Sequence, residues 1–134
     1  MSRFDELFEA AKKARLNAHA PYSRFAVGAA VLTDDGRIFA GCNVENASFP
    51  EGWCAETTAI GAMVAAGGRR IVEAVVTADA ALCTPCGGCR QRLAEFAPGE
   101  ASVHVCDTGG LMKSFRMADL LPAGFVLHGE DRKS

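Results

Sequence analysis

The fold is decided by residues 54–89, whose sequence is CAETTAIGAMVAAGGRRIVEAVVTADAALCTPCGGC. The Ala-rich stretch 54–66 predicts a helix that ends at the glycine pair following it. The apolar stretch 71–77 predicts a buried strand, and residues 86–96 predict a second helix. Two helices that begin with cysteine therefore flank one strand. In α/β folds, ligand sites lie at the sheet edge where such helices begin.

The flanking sequence extends this unit to an α/β fold with three layers, α/β/α, and a mixed five-stranded sheet. The remaining predicted elements are a helix over 3–19, strands over 25–33 and 37–42, a loop over 43–53, strands over 102–106 and 113–117, and a helical turn over 118–121. Asp34-Asp35-Gly36 predicts a hairpin turn, while strand–helix–strand order predicts right-handed parallel crossovers. We expect a single catalytic domain over residues 1–134.

Composition narrows the function classes. The chain has 134 residues, is 49% hydrophobic and carries a net charge of −2, which disfavours a broad surface for nucleic-acid polymers. No apolar run approaches the ~20 residues that span a membrane. The N-terminal stretch 1–6 is charged and lacks the apolar core of a signal peptide. We therefore expect a cytoplasmic protein without membrane or polynucleotide partners.

Three of the six cysteines have the spacing of metal ligands. Alone, Cys86-x-x-Cys89 suits half a zinc site, a redox pair or two structural thiols. Cys54 at a second helix start favours zinc, because catalytic zinc sites use three protein ligands and leave a fourth position open. Positions i and i+3 also share one helix face. We predict one Zn²⁺ per chain, held by Cys54, Cys86 and Cys89.

Glu56 follows Cys54 by two residues and is the predicted catalytic group. Zinc with three thiolates carries one excess negative charge, which two helix N-termini would partly offset. A water on such an ion can ionise near neutral pH, and Glu56 could take its proton and pass it to the substrate. The alternative is that Glu56 only stabilises the first turn of its helix.

The other cysteines and the histidines receive structural interpretations. Cys42 and Cys106 lie in apolar strands and are predicted to be buried thiols. Cys83 lies near the site, but a fourth thiolate would crowd the open position. The three histidines lack ligand-like spacing and are taken as structural or exposed: His19, His104 and His128.

These motifs resemble the small, homotetrameric cytidine deaminases. The zinc-deaminase signature, [H/C]-x-E followed by P-C-x-x-C, is present as Cys54-Ala55-Glu56 and Pro85-Cys86-Gly87-Gly88-Cys89. The resemblance covers nearly the whole chain and includes residues 20–30 (APYSRFAVGAA), 41–48 (GCNVENAS), 89–91 (CRQ) and 120–122 (LLP).

The resemblance implies a reaction and a set of substrate contacts. The reaction is zinc-dependent hydrolytic deamination of cytidine and 2′-deoxycytidine to uridine or deoxyuridine and ammonia. Zinc-bound hydroxide attacks C4, while Glu56 carries protons to the ring nitrogen and the departing amine. By the same resemblance, Phe25 packs on the pyrimidine, and Asn43 and Glu45 bind the ribose hydroxyls.

Two further substrate-binding positions come from the resemblance alone. Ala55 is expected to contact the substrate in its own chain. Phe125 is expected to reach the site of a neighbouring subunit, so that the homotetramer completes each site.

The sequence departs from this family at two positions. Many members have an arginine directly after the catalytic glutamate, where it bonds the zinc thiolates, but this chain has Thr57. We hypothesise that the site relies more on helix dipoles and backbone N–H groups, with Arg90 or Arg92 as possible compensating cations. Phe49 stands where tyrosine is common and removes one hydroxyl.

Three other functions remain open on the sequence. A deaminase of the same fold could act on another aminopyrimidine nucleoside or a nucleoside antibiotic, since Thr57 and Trp53 leave room for altered specificity. A structural zinc module would normally use four ligands, whereas three fit here. A polynucleotide-editing deaminase is disfavoured by the modest charge and the lack of a basic stripe.

Overall fold

The computed structural model describes residues 2–80 and 82–127. Within them, secondary structure follows the predicted order. The helices are α1 (Phe4–Arg15), α2 (Ala55–Ala65), α3 (Gly87–Phe96) and α4 (Met117–Leu120), with a 3-10 turn at Phe49–Glu51. The strands are β1 (Val27–Thr33), β2 (Ile38–Cys42), β3 (Ile71–Ala78), β4 (Ser102–Asp107) and β5 (Gly110–Arg116).

These strands form one sheet in the order β2-β1-β3-β4-β5. β1 runs antiparallel to both of its neighbours, placing Ala30 opposite Ala40 on β2 and opposite Val75 on β3. β3 and β4 are parallel, with Val75 opposite His104, and β5 returns antiparallel to β4. The described residues therefore confirm the predicted mixed five-stranded sheet.

Helices cover both faces of the sheet, which confirms the three layers. Successive strand residues point to opposite faces. Ala30 and Leu32 of β1 pack with Leu7 of α1, whereas Val31 packs on the opposite face. That second core contains residues from all three remaining helices, among them Ala59, Met63, Leu93 and Leu120. The sheet is therefore packed against helices on both faces.

Several predicted boundaries were wrong, because tertiary hydrogen bonds override local pattern. α1 ends at Arg15 and not at residue 19. The His19 amide donates to the Asn43 carbonyl, and the Glu45 amide donates to the His19 carbonyl, so this backbone belongs to a loop contact. β1 starts two residues later than predicted and β5 three residues earlier. Both cysteine-bearing helices begin one residue later, because Cys54 and Cys86 are their N-caps.

His104 has the structural contacts expected of it. Its Nε2 lies 2.6 Å from Glu73 Oε2, and its Nδ1 lies 2.7 Å from Ser114 Oγ. Ser2 also bonds the Glu73 carboxylate, which ties the start of α1 to the sheet. Burial opposes ionisation of Glu73, but these hydrogen bonds together lower its pKa. His128 lies outside the described residues.

Gly41 lets α2 approach β2 closely, and its replacement should destabilise the protein. A Cβ built at Gly41 would lie 2.5 Å from the Ala59 amide nitrogen and 2.6 Å from Thr58 Cβ. We expect Gly41→Ala to lower the free energy of unfolding by about 1–3 kcal/mol, measured by urea denaturation. The matched control is Gly61→Ala, which meets no atom within 4 Å and improves helix propensity. Equal stability of the two variants would contradict this close approach.

Candidate active site

The starts of α2 and α3 bring three cysteines together. Cys54 is the N-cap of α2, Cys86 is the N-cap of α3, and Cys89 lies in the first turn of α3. Their Sγ atoms all lie within 4.8 Å of one another, and the Cys54 and Cys86 sulfurs are 3.8 Å apart. Within residues 2–80 and 82–127, this is the one group of three or more His, Cys, Asp or Glu side chains that could hold a metal ion.

The three sulfurs fit a zinc ion. Tetrahedral zinc with Zn–S bonds of ~2.3 Å separates two sulfurs by about 3.8 Å, the distance between Cys54 and Cys86. Three thiolates leave one coordination position for another ligand. Cys54 and Cys86 line a cavity, whereas Cys89 is buried behind them. The open position would therefore face the cavity.

Hydrogen bonding between the cysteine thiols shifts their pKa values in opposite directions. A hydrogen bond from the Cys89 thiol lowers the pKa of Cys54, although burial opposes this shift. The same hydrogen bond, together with burial, raises the pKa of Cys89. The N-termini of α2 and α3 contribute partial positive charge at the same place. A divalent cation would lower the pKa of all three thiols, because it favours the thiolate form of each sulfur that binds it.

Glu56 is the buried carboxyl of this site. It lies in the first turn of α2, is 4% exposed and lines the same cavity. Burial raises its pKa, while interactions with its own backbone, Cys89 and Arg92 partly oppose that shift. A carboxyl with a raised pKa at a cavity wall is suited to proton transfer near neutral pH.

The cavity has a volume of about 660 Å³, which is sufficient for a small organic molecule. Its lining combines aromatic and aliphatic side chains with a few polar groups. The lining residues include Phe25, Val27, Asn43, Glu45, Phe49, Trp53, Cys54, Ala55, Glu56, Val76, Cys83 and Cys86. Four of the five predicted substrate-binding residues are therefore at one cavity, together with Glu56 and two of the three predicted zinc ligands.

Asn43 and Glu45 have structural bonds that the sequence did not reveal. Asn43 Oδ1 accepts a 2.9 Å bond from the Val27 amide, and its Nδ2 donates to the Phe25 carbonyl. Glu45 Oε1 accepts from the amides of Tyr22 and Ser23 at 2.9 and 3.1 Å. An amide or carboxylate has more lone pairs or protons than these contacts use. Both side chains can therefore position the cavity wall and still bind a ligand.

The loop that contains Ser23 favours the ionised form of the Glu45 carboxyl and lowers its pKa. Ser23 also donates its hydroxyl to Glu45 Oε2. The hydroxyl and amide of Ser23 lower the pKa of Glu45 more than burial raises it. A charged carboxylate at the cavity mouth is a strong acceptor for hydroxyl groups.

Phe125 is the one predicted substrate-binding residue that does not line the cavity of its own chain. It is 72% exposed, and its carbonyl accepts a 3.1 Å bond from Gln91 Nε2. Ala55, in contrast, is fully buried at the first position of α2 and lines the cavity. The expected contact of Phe125 with substrate in a neighbouring subunit stays a prediction.

Trp53 and Thr58 belong to a structural network that sequence analysis missed. Trp53 Nε1 donates to Thr58 Oγ1, which donates in turn to the Cys42 carbonyl, both at 2.7 Å. These two hydrogen bonds fix the segment before Cys54 to the end of β2. The sequence did contain one signal for this network, because Trp53 lies directly before the Cys54-Ala55-Glu56 motif.

The three cysteines outside the three-sulfur group differ in how deeply they are buried. Cys83 is half-buried at the cavity, and burial raises its pKa. It is not part of the three-sulfur group. Cys106 is buried as predicted, but Cys42 is only half-buried.

The two arginines of α3 differ in direction. Arg90 Nε donates to the Pro85 carbonyl, and its Nη1 donates to the Leu120 carbonyl. It therefore braces the segment before Cys86. Arg92 Nη1 instead lies 3.7 Å from Cys89 Sγ, and Thr57 Oγ1 lies 3.9 Å from the same sulfur.

Comparison with known proteins identifies the family to which the chain belongs. Residues 1–105 match the family model described as the cytidine and deoxycytidylate deaminase zinc-binding region. A cytidine deaminase of Sporosarcina psychrophila is 42% identical over 122 residues, which cover 90% of each chain.

Solved structures give the same result. The cytidine deaminase of Burkholderia pseudomallei superimposes with a TM-score of 0.86 at 42% identity, covering 93% of this chain and 100% of that one. The Mycobacterium leprae cytidine deaminase gives 0.79 at 41% identity, covering 91% and 99%.

The fold and the three-thiol centre define an enzyme of the zinc-binding deaminase class. The chain belongs to the cytidine and deoxycytidylate deaminase family. Among residues 2–80 and 82–127, no helix has the length and apolar character needed to cross a bilayer.

Proposed function

We propose that this enzyme hydrolyses the exocyclic amine of cytidine and 2′-deoxycytidine, releasing ammonia and the corresponding uracil nucleoside. One observation carries the proposal: three cysteine sulfurs within 4.8 Å of one another adjoin a cavity of about 660 Å³ that contains the buried Glu56. The relatives named cytidine deaminase at about 42% identity support the choice of substrate.

The proposed chemistry assigns a role to each side chain. Cys54, Cys86 and Cys89 hold zinc, which supplies Lewis acidity and lowers the pKa of water to near 7 when bound. Glu56 accepts a proton from the attacking water and donates it to the ring nitrogen N3. It then takes the proton of the hydroxyl added at C4 and donates it to the amine, so that the C4 carbonyl forms and ammonia leaves.

Substrate orientation follows from the cavity walls. Phe25 offers an aromatic face to the pyrimidine, while the buried Ala55 keeps the wall beside Glu56 small. Asn43 and Glu45 bind sugar hydroxyls with their remaining hydrogen-bonding capacity. A base without a sugar would make no hydrogen bond to Asn43 or Glu45 and would lose that part of the binding free energy, which favours nucleosides.

A homotetramer would complete the site. Phe125 and Leu127 near the C-terminal end of the described chain are 72% and 68% exposed, and a neighbouring copy would bury these apolar side chains. Phe125 would extend into the cavity of a neighbouring copy. A cytoplasmic location suits this proposal, since a reducing compartment keeps three thiols available for zinc.

A substrate panel tests the function. Turnover should be followed by absorbance with cytidine, 2′-deoxycytidine and free cytosine, with zinc measured in the same sample. We expect both nucleosides to react and cytosine to be at least ~100-fold slower in kcat/KM. Rapid turnover of cytosine would remove the roles given to Asn43 and Glu45. Turnover of a modified aminopyrimidine nucleoside in preference to cytidine would identify a different substrate for the same chemistry.

A further inference from the structure

The buried sulfur of Cys89 has a cation beside it. Cys89 is fully buried, and Arg92 Nη1 approaches its Sγ to 3.7 Å from the next turn of the same helix. Residues three apart share one face of a helix, so the backbone of α3 places both groups together. On the opposing helix, Thr57 contributes only a neutral hydroxyl, 3.9 Å from this sulfur.

Gly88 provides the space in which the guanidinium lies. A Cβ built at Gly88 would be 3.2 Å from Arg92 Nη1 and 3.8 Å from its Cζ. The arginine side chain therefore folds back over the glycine, along the helix surface towards Cys89. A side chain at position 88 would have to displace it, because 3.2 Å is tighter than ordinary contact between a carbon and a nitrogen.

The charge of the metal centre gives this contact a role. Three thiolates exceed the charge of zinc by one, and the excess is least hydrated at the buried Cys89. A guanidinium N–H to a thiolate is a charge-assisted bond and stabilises the ionised form. Arg90 cannot serve here, because it bonds the Pro85 and Leu120 carbonyls.

We propose that Arg92 is a positioning residue of the zinc site, which stabilises the Cys89 thiolate from the space left open by Gly88. The inference rests on the zinc binding proposed above. It does not depend on the identity of the substrate, and its test requires no turnover.

Zinc release measures this role directly. Zinc-loaded protein is mixed with an excess of a chromophoric chelator, without substrate, and the rate of transfer is followed. We expect Arg92→Met to release zinc about 10- to 100-fold faster than the parent chain. Arg92→Lys should give an intermediate rate, because lysine keeps the positive charge but lacks the planar guanidinium group. Arg116→Met removes an exposed arginine paired with Asp119 and should match the parent.

Two further variants separate charge from packing. Gly88→Ala should accelerate zinc release as Arg92→Met does, and adding Thr57→Arg to Arg92→Met should restore slow release. The zinc-free forms of the parent and Arg92→Met should unfold at the same temperature. Equal zinc release by the parent and Arg92→Met would overturn the proposal, as would equal release by Arg92→Lys and Arg92→Met. If Arg92→Met does not fold, an unchanged rate in Gly88→Ala overturns it.

Discussion

Replacing Glu56 with Gln should lower kcat for cytidine by about 10⁴-fold, the upper end of the range for general acid–base groups. Glu56 is 4% exposed at the cavity wall, so water cannot easily substitute for its proton transfer. Gln has nearly the same shape but cannot accept and return a proton. Because Glu56 is not among the three sulfur ligands, zinc should remain at one per chain.

This prediction is checked by steady-state kinetics and metal analysis of the same preparation. Glu51→Gln is the matched control, since it removes an exposed carboxylate in the 3-10 turn near the cavity. Normal deamination by a zinc-loaded Glu56→Gln variant would support the alternative that Glu56 only stabilises the first turn of α2. Loss of zinc together with activity would instead place Glu56 in the metal coordination.

Replacing Cys89 with Ser should abolish both zinc binding and deamination. Removing an outer contact of a metal site typically costs 10- to 100-fold in affinity, so loss of a ligand should cost more than ~100-fold. Cys89 is buried between two helix starts, where a hydroxyl is a much weaker zinc ligand than a thiolate. The thermal stabilisation produced by added zinc should disappear with the ligand.

Cys83→Ser is the control for this experiment. Cys83 lines the same cavity but lies outside the three-sulfur group, so its variant should keep one zinc per chain. Equilibrium dialysis against a zinc buffer, with thermal unfolding in parallel, measures both variants. Zinc retained by Cys89→Ser and lost by Cys83→Ser would show that the ligand set has been assigned wrongly.

The α2–β3–α3 unit could be predicted from sequence because its signals are local. Alanine in 54–66 favours the helix α2, and β-branched residues in 71–77 favour the strand β3. The glycine pair at 67–68 ends α2. The strand order could not be predicted in the same way. β1 lies between β2 and β3 because its residues pack against helices on both faces. Such packing depends on elements distant in sequence.

In the candidate site, too, the features that follow from local sequence could be predicted, whereas contacts between distant segments could not. Cys86 and Cys89 were predicted to meet because i and i+3 share one helix face, and Cys54 was predicted to join them because both helices begin at the same sheet edge. The bonds from Asn43 to the backbone of residues 25 and 27 could not be predicted, because they arise only once the loop meets β1. The direction of Arg92 could not be predicted, because a long side chain on a helix has several rotamers and the sequence does not say which of them it adopts.

The central claim is that a three-cysteine zinc centre with Glu56 deaminates cytidine. The most direct test removes zinc with a chelator, measures cytidine turnover, and then adds zinc back in steps. We predict that turnover is absent in the metal-free protein and returns in proportion to bound zinc, reaching its maximum at one ion per chain. Ammonia and uridine should form in equal amounts. A chain that holds one zinc, remains folded and produces no uridine would contradict the account.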